Sequence, residues 1–189
     1  MSSWSADGWL HGAEWLPSPN FGPRPEGCSI SLALIHNISL PPGCFAGRYV
    51  EDFFLNRLDT TLDPYFATIA GLQVSSHFYI RRSGHLVQFV SADDRAWHAG
   101  QSCWQGRDNC NDWSVGVELE GTDELPFEAA QYSALWQLLT ALGQRYPLTD
   151  IAGHSHVAPG RKTDPGACFD WAAVASRFPG IALPPEVAT

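Results

Sequence analysis

Residues Ser114–Tyr146 read SVGVELEGTDELPFEAAQYSALWQLLTALGQRY. The first eight alternate with the period of a strand, so that Val115, Val117 and Leu119 face one way and Gly116, Glu118 and Glu120 the other. From Phe127 to Tyr146 the period changes. Tyr132, Leu135, Trp136, Leu139 and Leu142 form one helical stripe, and Pro147 follows its end. The helix excludes an all-β sandwich.

Working outward, SLALIHNIS (Ser31–Ser39) is a nearly continuous apolar run with the look of a buried strand. His36 and Asn37 sit near its end, where a sheet holds side chains still while the next loop gives access. Tyr49–Leu58 reads as a short amphipathic helix, and Pro64 and Tyr65 fall in a loop. His77–Arg82 and Leu86–Val90, joined by Ser83-Gly84-His85, read as a hairpin. Residues 91–112, with Trp97-His98-Ala99-Gly100 and Arg107, read as a long functional loop. A strand over Thr149–Ala152 and a helix over Asp170–Phe178 complete the pattern. The expected fold is an α/β single domain with a mixed central β-sheet flanked by helices. An extended, proline-rich arm covers residues 1–30, the domain proper 31–178, and a loosely held tail 179–189.

Twenty acidic against eleven basic side chains give a formal charge of −9, which opposes binding to a phosphate backbone and argues against nucleic acid as a partner. The N-terminal stretch lacks the basic start and apolar run of a secretory signal, and no apolar segment approaches the ~20 residues that span a bilayer. The expectation is a soluble, cytoplasmic protein with no membrane partner. The five cysteines are odd in number and scattered, which predicts free thiols; Cys103 and Cys110, flanking a loop, are the one pair to check.

The densest chemistry lies in GHSHVAPGRKTDPG (Gly153–Gly166). Its prolines and glycines predict a structured loop. Imidazole and carboxylate are both zinc ligands, and the loop can fold a histidine and Asp164 onto one ion, with a third ligand from elsewhere. His36, His154 and Asp164 make such a set, although His156 competes with His154. Glu118 stands where it could take a proton from the attacking water, with Glu120 as an acidic neighbour on the same face. Lys162 is the only lysine among eleven basic residues, and as a compact point charge it suits an oxyanion. His11 and His85 are expected to be solvated, and His77 and His98 structural.

Seven stretches then carry a resemblance: Gly8-Trp9-Leu10, LIHNISLPPG (Leu34–Gly43), DPYFA (Asp63–Ala67), RAWHAG (Arg95–Gly100), CNDWSVGVELEGTD (Cys110–Asp123), GHSHVAPGRKTDPG and Phe169-Asp170-Trp171. In this order they resemble the AmpD family of cytoplasmic 1,6-anhydro-N-acetylmuramoyl-L-alanine amidases, within the type 2 amidases that include phage amidases and peptidoglycan recognition proteins. The resemblance implies one zinc per chain on His36, His154 and Asp164, Glu118 rather than Glu120 at the water, and Lys162 at the oxyanion. It implies Asn37, Tyr65, Trp97 and Arg107 as contacts to an anhydro-muropeptide; Arg161 is a further candidate contact, and a monomer is expected. One departure stands out: where the family pattern reads IAHLRVS, this chain has IAGLQVS, with Gln73 in place of arginine. Other readings are a non-catalytic muropeptide-binding module, against which the intact ligand set speaks, and a zinc peptidase, against which the absence of HExxH speaks.

Overall fold

A computed structural model describes residues 3–185. Among the described residues ten strands are found: β1 (Glu14–Trp15), β2 (Phe21–Gly22), β3 (Leu32–Ile38), β4 (Phe78–Ile80), β5 (Leu86–Gln88), β6 (Arg95–Ala96), β7 (Cys103–Trp104), β8 (Arg107–Asp108), β9 (Ser114–Glu120) and β10 (Asp150–Gly153). The helices are α1 (Tyr49–Phe54), α2 (Pro64–Thr68), α3 (Ala129–Arg145), α4 (His154–Val157) and α5 (Trp171–Arg177). Six strands form the central sheet in the order β1-β5-β4-β9-β3-β10. Only β4 and β5, the expected hairpin, run antiparallel, so the sheet is mixed.

The alternation along β9 divides the molecule. Val115, Val117 and Leu119 join Ala33, Ile35 and Phe78 under the apolar stripe of α3 and Val174 of α5. On the opposite face the cover is split. Phe53, Phe54 and Phe66 from α1 and α2 pack on Tyr79 and Val87, while Val157 of α4 with Trp104 and Trp113 packs on Leu32, Leu34 and Ala152. His36, Glu118 and Tyr79 are cross-strand partners on that face, so His36 and Glu118 lie where one cover ends and the other begins.

Several boundaries differ from expectation for local reasons. The first helix stops at Phe54 rather than Leu58, because Asn56 takes a left-handed conformation (φ 57°) and turns the chain. The expected loop at Pro64 is a short helix: Asp63 caps it by accepting the Tyr65 N–H (2.8 Å), and Pro64 occupies its first turn. The N-terminal arm is built into the fold, with β1 extending the sheet and β2 pairing with β6. The start of the tail is pinned at Ala182, which donates to the Thr149 carbonyl (2.8 Å) and accepts from Ile151 (3.0 Å). Residues 186–189 of the expected tail lie outside the described residues. All five cysteines are free, Cys103 and Cys110 included.

Candidate active site

A cleft of about 570 Å³ opens at the gap between the two covers. Its lining includes His36, Asn37, Tyr65, Trp97, Glu118, His154, Arg161, Lys162 and Asp164. His36 reaches it from near the end of β3, Glu118 from the adjacent position on β9, and His154 from the residue after β10. Asp164 is folded back over the loop by a hydrogen bond from the Ser155 N–H to its own carbonyl (2.9 Å).

Three acceptor atoms converge. His36 Nδ1 lies 3.0 Å from His154 Nδ1, and each lies 3.1 Å from Asp164 Oδ2. His154 Nε2 is 3.1 Å from the Ala99 carbonyl oxygen, which can only accept, so Nε2 carries a proton and Nδ1 is the atom turned to the aspartate. Burial pushes His36 down to about 4. Burial works to raise the Asp164 carboxyl, but its close contacts with His154 and His36 outweigh it and hold the group below the usual carboxylate range. Two imidazoles and a carboxylate whose facing atoms converge make a donor set that fits a cation. Their spacing is close to the ~3.3 Å expected between neighbouring donors of a tetrahedral zinc with ligand bonds of ~2.0–2.1 Å.

Glu118 completes the centre. It is 7% exposed, and its Oε2 has no hydrogen-bond partner. Burial raises its carboxyl well above the ordinary range, Asp164 adds to this, and Lys162 opposes it. Glu120, on the same face, accepts the Arg82 N–H (2.8 Å), so it is occupied. His156 is also occupied: its Nδ1 accepts the Gly153 N–H (2.9 Å) and its ring meets the edge of Trp171. The residues alone left both pairs open; the hydrogen-bond partners separate them.

Asn37 donates to Asp123 (2.7 Å), which orients its amide at the cleft. Arg161 lines the cleft, yet its guanidinium also donates to the carbonyls of Ala99 (2.7 Å) and Gln101 (2.5 Å). Arg107 departs from expectation. It is exposed on β8, stacked on Trp113 (4.3 Å) and directed at Cys28, and it is not part of the cleft lining. Gln73 likewise lines a neighbouring hollow of about 160 Å³ with Asn56 and Leu58 rather than the cleft. His98, expected to be structural, lies 2.9 Å from His36 and lines the cleft. The one signal for it was its place beside Trp97 in a loop already read as functional.

Groups of metal-ligand type that converge beside a free buried carboxylate, at the ends of sheet strands, are the arrangement a metal-assisted hydrolase needs. The chain belongs to the N-acetylmuramoyl-L-alanine amidase family, whose model matches residues 27–167. It is 49% identical over 180 residues to the 1,6-anhydro-N-acetylmuramyl-L-alanine amidase AmpD of Citrobacter freundii, covering 94% of each chain. A crystal structure of a selenomethionine AmpD derivative superposes with a TM-score of 0.89 at 48% identity, over 93% of this chain and 99% of that one. The amidase AmiD of Escherichia coli, in complex with the substrate anhydro-N-acetylmuramic acid-L-Ala-D-γ-Glu-L-Lys, superposes with a TM-score of 0.59 at 29% identity, over 82% of this chain and 60% of that one.

Proposed function

We propose that this chain is a zinc-dependent amidase that cuts the bond between the lactyl carbonyl of 1,6-anhydro-N-acetylmuramic acid and the amino group of L-alanine, in the cytoplasm, during peptidoglycan recycling. The observation that carries the reading is the convergence of His36, His154 and Asp164 within about 3 Å of one another, next to the unpartnered Glu118. The kinship to AmpD supports the substrate.

Zinc held by these three side chains would acidify a water and polarise the scissile carbonyl. Glu118 takes the proton from the attacking water, because burial has raised its proton affinity, and returns it to the departing alanine nitrogen. Lys162, in the same lining, meets the negative charge that grows on the carbonyl oxygen. Tyr65 and Trp97 offer aromatic faces to the sugar, and Asn37 an amide fixed by Asp123. Among the described residues no helix is long and apolar enough to cross a membrane.

The test is release of L-alanyl peptide from an anhydro-muropeptide, set against a plain peptide, before and after chelation and with metal analysis of the purified protein. Turnover of the muropeptide alone, lost on chelation and restored by zinc, is expected. Turnover that survives complete removal of metal would refute the mechanism, and zinc binding without turnover would favour the non-catalytic muropeptide-binding module.

A further inference from the structure

Each imidazole facing Asp164 has a second nitrogen, and what that nitrogen meets decides whether the first is free to hold a cation. For His154 the partner is a backbone carbonyl, which leaves no choice. For His36 the partner is another histidine. His36 Nε2 lies 2.9 Å from His98 Nδ1, and His98 Nε2 lies 3.3 Å from the Ser114 hydroxyl. A neutral His98 carries one proton, so the chain has two possible directions. With that proton on Nδ1, His98 would donate to His36 and drive the His36 proton onto Nδ1, into the converging acceptors. With it on Nε2, His98 donates to Ser114 and accepts from His36, and the His36 Nδ1 lone pair is free.

We propose that His98 is a positioning residue that accepts the His36 Nε2 proton, and so holds His36 in the one tautomer and orientation whose Nδ1 can ligate zinc. This rests on the metal reading above. The sheet is shaped for the contact: a Cβ at Gly116 would sit 2.6 Å from His98 Cγ and Nδ1, so only glycine at this point of β9 lets the ring lie against the strand. The loop that carries His98 is pinned as well. Asn111 Oδ1 accepts the backbone N–H groups of His98 (3.1 Å) and Ala99 (2.8 Å), which places the partners of both ligand histidines on one short segment. Outer partners of metal-bound histidines typically contribute about 10–100-fold to affinity, which sets the scale expected here.

The experiment measures zinc affinity by competition with a chromogenic chelator for wild type, His98→Leu and His98→Asn. Leucine fills the space with no acceptor, whereas the asparagine oxygen falls near the position of Nδ1. Expected are a loss of about 10–100-fold for His98→Leu and recovery to within several-fold for His98→Asn. Unchanged affinity in His98→Leu overturns the proposal, and so does an equal loss in both variants, which would mark a purely structural role. Should His98→Leu fail to fold, nitrogen-15 spectra of the zinc-loaded wild type decide: a protonated Nε2 on His98 with an unprotonated Nδ1 supports the proposal, and the reverse overturns it. A wild-type chain that takes up no zinc would instead defeat the metal reading.

Discussion

Gly116→Ala adds a single methyl group, and the structure sets the size of its effect. The new Cβ would lie 2.6 Å from two atoms of the His98 ring and 2.9 Å from a third. Restoring an ordinary contact of about 3.4 Å moves the ring by roughly 0.8 Å. If that shift falls along the bond to His36, the 2.9 Å contact lengthens to about 3.7 Å, beyond hydrogen-bond range. Overpacking of this kind costs about 1–3 kcal/mol, while exchanging glycine for alanine at a compatible backbone position recovers about 0.4–1 kcal/mol through the unfolded chain. The expected net loss is up to about 2.6 kcal/mol of stability, with zinc affinity lowered about tenfold or more. Gly143→Ala is the control: in α3, with nothing within 4 Å of its Cβ, the same chemical change should stabilise by about 0.5–1 kcal/mol. Urea unfolding of the metal-free proteins and zinc competition supply the two readouts. A Gly116→Ala protein as stable as wild type, with unchanged zinc affinity, would falsify the close-approach argument.

Glu118→Ala should keep its zinc and lose ~10²–10⁴-fold in turnover, whereas Glu120→Ala should keep turnover and lose about 1–3 kcal/mol of stability, because the Arg82 N–H loses its acceptor. Steady-state kinetics with metal analysis separate the two, and reversed effects would mean the roles are exchanged. Lys162→Arg should fail almost as badly as Lys162→Ala, by ~10²–10³ in turnover with zinc retained, since a planar guanidinium does not replace a point charge; near-wild-type turnover in Lys162→Arg would contradict this. His77 is held neutral, first by burial and then by Arg24, and its Nδ1 accepts the Gly116 N–H (3.0 Å). The unfolded chain therefore binds one more proton than the folded one below about pH 6.5, so this group's contribution falls as pH falls, by up to ~1.4 kcal/mol per pH unit, and vanishes above about pH 7.5. Urea unfolding between about pH 5 and pH 8 should show that slope reduced by one proton in His77→Gln, and an unchanged slope would exclude His77 as its source. Arg107→Ala should leave KM for the muropeptide unchanged, as its side chain packs on Trp113 away from the cleft; a large rise in KM would return it to the substrate site.

The alternation in Ser114–Glu120 was enough to put Glu118 on the face opposite Val117, and the stripe in Ala129–Arg145 enough to say which face a helix would cover, because both depend only on the geometry of a single element. The ligand-type residues were visible in composition and spacing for the same reason. Which of them meet depended on contacts between segments far apart in sequence. His154 and His156 share the one-turn helix α4, where the sequence predicts a loop, and the Ala99 carbonyl and the Gly153 N–H give them different partners. Glu118 and Glu120 share one face, and a neighbouring backbone N–H occupies only the second. Two-residue strands such as β7 and β8 leave no period to read, so the outward turn of Arg107 had no local trace. His98 looked like any buried histidine. Its place beside His36 comes from a glycine on β9 and a loop pinned by Asn111, three segments whose approach is set by the packing of the whole sheet.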